Sequence, residues 1–600
     1  EALSKAGRGE SWRQISPSWD GAYAAITTTI SGDQSPGVSI IDAETGRILD
    51  DHTPDMLTTT SGSRYKVTWL PDNSGFIYPR LAPGAMDGPS AERLSRGRQA
   101  LHKLGDSQSA DMDIFGYGVV AGIDLAPEDL PSRTIASPNS SWILATIYRV
   151  AKDTGELWAA PIEHLGQPDA WRRIEADSSG FAQVLLDSDT VYAISRGGAD
   201  RGELIALDLA DPGAAWRVVE AERAGVMVSF SIARDAIYLV ERLDGDMNLL
   251  RLTRSGGEAA EIPTPVASSL DLAPGNALMD GAYVSSSTLA SAPDWRKISA
   301  DGSALVEPGF DDGVGSDDDS DLLAEAVTVT ARDGADIPVS ILRLRSSTLD
   351  GSAPLLIEVY GSHGQATDPM KNLPMAAWAR AGGVYAFAHV RGGGEKGDKW
   401  HKSARRETKR VSVSDAADAA RGLVALGYGA KGKIALTGMS SGATVPGLMP
   451  AIEPGLFKAL VFDVGQPDEI RGASLDPTAA RNLAEYGDLD TPEGVRMLMK
   501  NSPYHSVPLS AALPAIIVKS ASGDYNFGGE ATAAKFVARL QAANAGEEPV
   551  IWMSTGGGHT SVFWSSPEEA AAAMAFILWR FGVADYQPEA EKQDAGEAGG

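Results

Sequence analysis

The sequence predicts two domains of different class: an all-β propeller over residues 1–325 and an α/β domain over residues 326–586, followed by a tail over 587–600. Three observations predict this. At 600 residues the chain is too long for one ordinary domain of roughly 100–200 residues. The first half carries a β-type repeat. The second half alternates strand-like and helix-like segments.

The repeat comes first in the chain. Leu157, Leu204 and Leu249 stand in similar short runs 47 and 45 residues apart, and Tyr192 and Tyr238 recur in apolar runs 46 residues apart. Each unit reads as strand, Gly/Asp turn, strand and polar loop, and a period of 45–47 residues with several short strands fits a four-stranded propeller blade. Turn signals at 70–75 and 137–140 precede further strands and add blades. Seven blades, or an incomplete set of them, are expected; a β-sandwich is the alternative. Asp311, Asp312, Asp317, Asp318, Asp319 and Asp321 crowd the boundary. Alternate carboxylates could bind calcium, but a like-charge run reads more readily as a solvated surface loop. The Gly and terminal Glu of a calcium-binding hand are missing.

From 326 the rhythm changes. Strands are expected at 327–330, 339–342, 355–360, 384–388, 434–437, 459–462, 515–518 and 550–553. Helices are expected from 415 to 426, capped by Ser414, and from 530 to 543. Strands alternating with helices predict a mostly parallel sheet. Residues 587–600 are rich in Ala, Glu and Gly without apolar periodicity, and a disordered tail is expected.

Composition excludes several classes of function. The 80 acidic residues outnumber the 52 basic ones, for a formal charge of −28. A nucleic-acid footprint needs the opposite sign, and anionic membranes would repel the chain. With no cysteine, thiolate zinc sites, disulfides and a cysteine nucleophile are excluded. No apolar run reaches the roughly 18 residues of a membrane-spanning helix. The chain starts at Glu1 without a charged-then-apolar leader, so the compartment, cytoplasmic or periplasmic, stays open. No metal or cofactor motif stands out. Gly392–Gly394 lacks the Lys-Ser/Thr end of a phosphate loop.

The chemistry lies in Gly438-Met439-Ser440-Ser441-Gly442, directly after a strand. It fits G-x-S-x-G, the strand-to-helix turn that lifts a serine above the sheet edge in α/β-hydrolases. The register selects Ser440, because centring on Ser441 would put Met439 and Ala443 at the Gly positions. A serine needs a base, and the base needs an orienting carboxylate. Only His505 and His559 follow Ser440 in the chain. His559 is preferred, since a Gly-rich loop carries it off the end of a strand. Asp524, after the penultimate strand, is favoured as the acid over Asp463.

Arg391-Gly392-Gly393-Gly394-Glu395, then Gly397 and Trp400-His401, resembles a signature of the prolyl oligopeptidase family. The elbow at 438–442, Ser-Gly-Asp at 522–524 and Gly-Gly-His at 557–559 resemble that family's nucleophile, acid and base segments. Asp333-Gly334 with Ile337-Pro338 resembles the start of its hydrolase domain. The resemblance implies a serine peptidase with a propeller capping the site, so that only short flexible peptides enter. It implies that Ser440 attacks the scissile carbonyl, His559 shuttles the proton and Asp524 holds the imidazole. It also implies that the Tyr360 hydroxyl and the Ser441 backbone N–H stabilise the oxyanion, a donor worth about 3–4 kcal/mol of barrier.

There are departures from the pattern. Tyr525 replaces the Arg that follows the family's catalytic Asp. Asn482 falls where the family has a proline-stacking Trp, ahead of Tyr486-Gly487. Both positions belong to the substrate pocket, and proline preference is therefore in doubt. Ala443 replaces a third elbow Gly. Pro446 is expected to kink the following helix. The family's N-terminal segment is missing, which implies truncation or processing. An esterase using the same triad, and a catalytically weak member acting as a binding module, are the alternative functions.

Overall fold

The computed structural model describes residues 10–30, 37–53, 56, 66–85, 95–150, 154–243, 245–265, 268–308, 319–368, 370–475, 479–524, 529–559 and 566–587. Among these, the first half forms six four-stranded antiparallel sheets, each a meander of consecutive strands. They begin at Glu10, Thr68, Leu130, Phe181, Val226 and Ser269. The expected seven blades are thus corrected to six. The repeat of 45–47 residues belongs to the compact blades of the middle of the chain. The two intervals before Leu130 are distinctly longer, because they carry long inter-strand and inter-blade connections.

The repeating leucines explain why the sheets form a ring. Leu157, Leu204 and Leu249 are wholly buried, each on a strand of its own blade. Apolar faces of successive blades interlock in five separate clusters, joining blade 1 to 2, 2 to 3, 3 to 4, 4 to 5 and 5 to 6. Tryptophan N–H groups cross the same seams: Trp69 donates to the Ser16 carbonyl at 2.8 Å and Trp171 to the Ile114 carbonyl at 2.8 Å. Blade 6 meets blade 1 through the Asn276 amide, which donates to the Trp19 carbonyl at 3.1 Å.

The second half is one eight-stranded sheet. Its order is Leu322–Thr330, Asp336–Leu344, Val384–Ala388, Leu355–Val359, Ile434–Met439, Ala459–Asp463, Ala515–Ala521 and Val550–Thr555. The first strand runs across the expected boundary at 325/326. The first two pairings are antiparallel and the rest parallel. Parallel strands need covering on both faces. Here helices Val411–Ala425 and Gly529–Ala543 contribute to the core on one face, and Leu373–Arg380 and Pro567–Arg580 to that on the other. Parallel pairing also brings the carboxyl ends of six strands to a single edge, where α/β sheets bind ligands.

Some local expectations change. The helix expected from Asp415 begins at Val411, with Arg410 at its cap, because Val413 and Ala416 extend the buried face. Ser414 lies inside it, and its hydroxyl donates back to the Arg410 carbonyl at 3.4 Å. The end of the acidic run is not simply solvated. Asp319 pairs with Lys371 and Arg380, and Asp321 with Arg380, so it docks against helix Leu373–Arg380. Asp311, Asp312, Asp317, Asp318 and tail residues 588–600 lie outside the described residues.

The two halves meet through the helix Asp398–Lys402. Its Asp398 and Lys399 N–H groups donate to the Asp200 carbonyl at 3.0 Å and the Asp200 carboxylate at 2.6 Å. Arg242 of the propeller also pairs with Asp368.

One buried polar cluster sits inside the propeller. His102 is fully buried, 2.9 Å from Asp51 and 2.7 Å from Asp111. Burial alone would lower its pKa, but the two carboxylates outweigh it and raise it above the ordinary 6.5. A raised folded-state pKa gives stability that is full below pH about 6.5 and is lost as pH rises through the folded value. His102→Gln should therefore unfold at lower urea than wild type near pH 5. The gap should narrow towards pH 8, as urea titrations at both pH values would read.

Candidate active site

The strand Ile434–Met439 ends in a tight turn, Ser440–Ala443, before the helix Thr444–Ile452. Ser440 has φ +55°, in the left-handed region that a non-glycine residue occupies at a cost. The turn is possible because its flanking residues lack side chains. A Cβ on Gly438 would lie 2.4 Å from the Gly442 carbonyl oxygen, and one on Gly442 would lie 2.9 Å from the Tyr360 Cα and the Val359 oxygen. The Ala443 methyl that replaces a third glycine is accommodated from the other side. It faces Gly465, whose own Cβ would stand 2.4 Å from it.

Pro446 does not sit mid-helix as expected. It is the third residue of Thr444–Ile452, in the first turn, where backbone N–H groups have no acceptor within the helix. Pro450 is the proline inside this helix, which ends two residues later.

Three loops at the same sheet edge converge on Ser440. His559 follows the strand Val550–Thr555, and Asp524 follows the strand Ala515–Ala521. The Ser440 hydroxyl lies 2.8 Å from His559 Nε2, and Asp524 Oδ2 lies 2.7 Å from Nδ1. An ionised carboxylate only accepts, so Nδ1 carries the hydrogen and Nε2 is free to accept from serine. Ser440 and Asp524 are buried, which strengthens both bonds by excluding water. The rival residues are engaged elsewhere. His505 pairs with the Ser502 hydroxyl at 3.0 Å, and Asp463 ends its own strand while His559 faces Asp524.

Tyr360 directly follows the strand Leu355–Val359 and packs against the elbow at Gly442. Ser441 is buried in the turn itself. Asn482 is buried on the helix Ala479–Tyr486. Tyr525 lies outside the described residues. Among the described residues no group of three or more His, Asp or Glu is placed to hold a metal ion.

The structure adds residues that sequence reading passed over. His363, at φ +58°, bonds through Nε2 to the Ser441 hydroxyl at 2.9 Å. Lys409, fully buried, donates to Glu485 at 2.7 Å, to the Ser362 hydroxyl at 2.7 Å and to the Gly361 carbonyl at 2.9 Å. The other oxygen of Glu485 meets His401 Nε2 at 2.8 Å. Burial alone would raise the Glu485 carboxyl, but Lys409, with His401 behind it, holds it well below the usual carboxylate range. The Tyr486 hydroxyl beside them donates to the Ser441 carbonyl at 3.3 Å. His401 was visible in its Trp-His pair. Nothing in the sequence marks Lys409 as buried.

The Arg-Gly-Gly-Gly-Glu segment is part of this framework. Arg391 forks onto buried Asp415 at 2.6 and 2.9 Å and reaches Asp333 at 2.7 Å. Gly392 lies so close to the loop after Tyr360 that a Cβ would stand 2.1 Å from the Gly361 oxygen.

Comparison with known proteins agrees with this architecture. Residues 1–304 match the family model for the prolyl oligopeptidase N-terminal β-propeller domain, and residues 370–584 that for the prolyl oligopeptidase family. A dual function macrocyclase-peptidase of Amanita bisporigera is 26% identical over 548 residues, 86% of this chain and 71% of its own. A prolyl endopeptidase of Elizabethkingia miricola is 26% identical over 580 residues, 94% of this chain and 77% of its own. A prolyl oligopeptidase B from Galerina marginata, solved with a 35-residue substrate, shares the fold with TM-score 0.83 at 19% identity. That match covers 97% of this chain and 82% of the other.

The Lys409 cluster yields a test. Lys409→Met should destabilise the catalytic domain by about 3–5 kcal/mol, because it strands the buried Glu485 carboxylate. Replacing both partners by Met should cost less than replacing one. Equal urea midpoints for wild type and the single variant would contradict this account.

Proposed function

The chain belongs to the prolyl oligopeptidase family, and from that premise we propose that Ser440, His559 and Asp524 hydrolyse short peptides as a serine-type triad. One observation carries the reading: a single imidazole lies within hydrogen-bond distance of both a strained, buried serine hydroxyl and a buried carboxylate. Ser440 Oγ attacks the scissile carbonyl while its proton passes to His559 Nε2. The developing imidazolium is stabilised by Asp524. The tetrahedral oxyanion is held by the Tyr360 hydroxyl and the Ser441 N–H, one of the amides at the start of a turn that have no acceptor within it. Collapse breaks the C–N bond, and Nε2 returns the proton to the leaving amine. Water then repeats the sequence on the acyl-enzyme.

Proline selectivity is not part of the proposal. Asn482 is a buried amide, which must satisfy its own hydrogen bonds and offers no flat apolar ring for a proline to stack on. Polar His363 stands beside Ser441, so the wall next to the elbow is hydrogen-bonding in character. The acyl chemistry itself does not distinguish peptides from esters. What favours peptides is family membership together with a propeller docked beside the sheet edge.

A fluorophosphonate probe should label the wild-type protein and leave Ser440→Ala unlabelled, with peptide kcat/KM falling by about 10⁶ in that variant. Asp524→Asn should lose about 10⁴, while His505→Ala should stay within about two-fold. A folded wild-type protein that takes no label would rule the proposal out. Separately, Asn482→Trp should raise kcat/KM for a proline peptide relative to its alanine analogue, read on matched fluorogenic substrates.

A further inference from the structure

Between propeller and catalytic domain lies a cavity of about 840 Å³, within the range of about 300–1,000 Å³ typical of ligand sites. Arg133 and Arg196 form part of its propeller wall, and His363 and Glu485 part of its catalytic wall. His363 also bonds to Ser441, the neighbour of the proposed nucleophile. The cavity therefore runs up to the place where a scissile bond would lie.

The charges in this cavity are unevenly matched. Its carboxylates already have partners. Glu485 is held by Lys409 and His401, Asp398 by Lys402 at 2.5 Å, and Asp177 by the N–H and hydroxyl of Ser179. The two propeller arginines do not. Arg133 makes no side-chain hydrogen bond or ion pair among the described residues. Among the same residues Arg196 hydrogen-bonds only to the Met227 carbonyl at 3.3 Å, and its buried Nε has no partner there. Burial lowers the pKa of both, yet a guanidinium stays charged in a protein. Two partly desolvated cations with no hydrogen-bonded carboxylate among the described residues, Arg196 feeling Asp398 and Asp200 only at a distance, in a chain of net charge −28, are costly to keep unless something pairs with them.

We infer that Arg133 and Arg196 form a subsite for a peptide carboxylate, so that this enzyme favours acidic peptides or peptides with a free C-terminus. Guanidinium forks match carboxylates in geometry as well as charge. The long-range field of the protein opposes such a ligand, so the preference has to come from contact inside the cavity. This inference rests on the peptidase reading of the site, and its test is chosen to be independent of turnover.

The experiment uses Ser440→Ala and measures binding of fluorescent hexapeptides by anisotropy in about 0.15 M salt, where the Debye length is about 8 Å. One arm compares Glu with Gln at each position; the other compares a free with an amidated C-terminus. At least one acid form should bind about ten-fold tighter or more than its amide. The arm in which this happens identifies the source of the carboxylate. The ratio should fall towards one when Arg133→Gln and Arg196→Gln are added, and largely survive Arg133→Lys with Arg196→Lys. Should the glutamine variants fail to fold, Ser440→Ala alone still answers. Its preference should shrink between about 0.05 and 0.5 M salt. Acid and amide forms bound within two-fold of each other in both arms would overturn the inference, as would a preference that outlives both arginines in a folded variant. Failure of the peptidase reading would show separately, as absence of fluorophosphonate labelling in the wild type.

Discussion

All three donors of one buried ammonium, Lys409 Nζ, are committed to the ground on which the site stands. They fix the Gly361 carbonyl and the Ser362 hydroxyl, immediately after Tyr360, and they neutralise Glu485 on the helix that also carries Asn482 and Tyr486. Tyr486 in turn holds the Ser441 carbonyl. The proposed oxyanion donors, the Ser440–Ala443 turn and the helix Ala479–Tyr486 thus share one electrostatic anchor. Its cost is two desolvated charges. Its hydrogen bonds tie four segments of the domain together.

The geometry above that anchor depends on close backbone approach. Gly392 lies against Gly361, and Gly442 against Tyr360 and the end of its strand. The left-handed Ser440 is held between these contacts, so its strain is sustained by packing rather than relieved. Ala443 is tolerated only because Gly465 faces it, which shows how a departure at one position is absorbed at its neighbour across the turn.

The propeller stabilises itself differently. Its six blades join through five apolar seams, which tryptophan and glutamine hydrogen bonds cross. Its contribution to the site is steric and electrostatic. It docks Asp200 on the helix Asp398–Lys402 and turns Arg133 and Arg196 towards the catalytic domain across a shared cavity.

Much of this was legible in the sequence because the signals are local. A strand followed by a glycine-flanked serine, a histidine on a glycine-rich loop and an aspartate past a buried strand each advertise themselves within ten residues. So do the repeating leucines of the blades, whose burial depends on period alone. Blade number was not legible, because loop length varies where strand pattern does not. The place of Pro446 depended on where a helix begins, which the turn before it decides. The sequence by itself determined the two fold classes and the candidate residues for the chemistry. Only the tertiary structure decided which of them meet, why Lys409 is buried and which cations lack hydrogen-bonded carboxylates among the described residues, because those follow from contacts between residues tens to hundreds of positions apart.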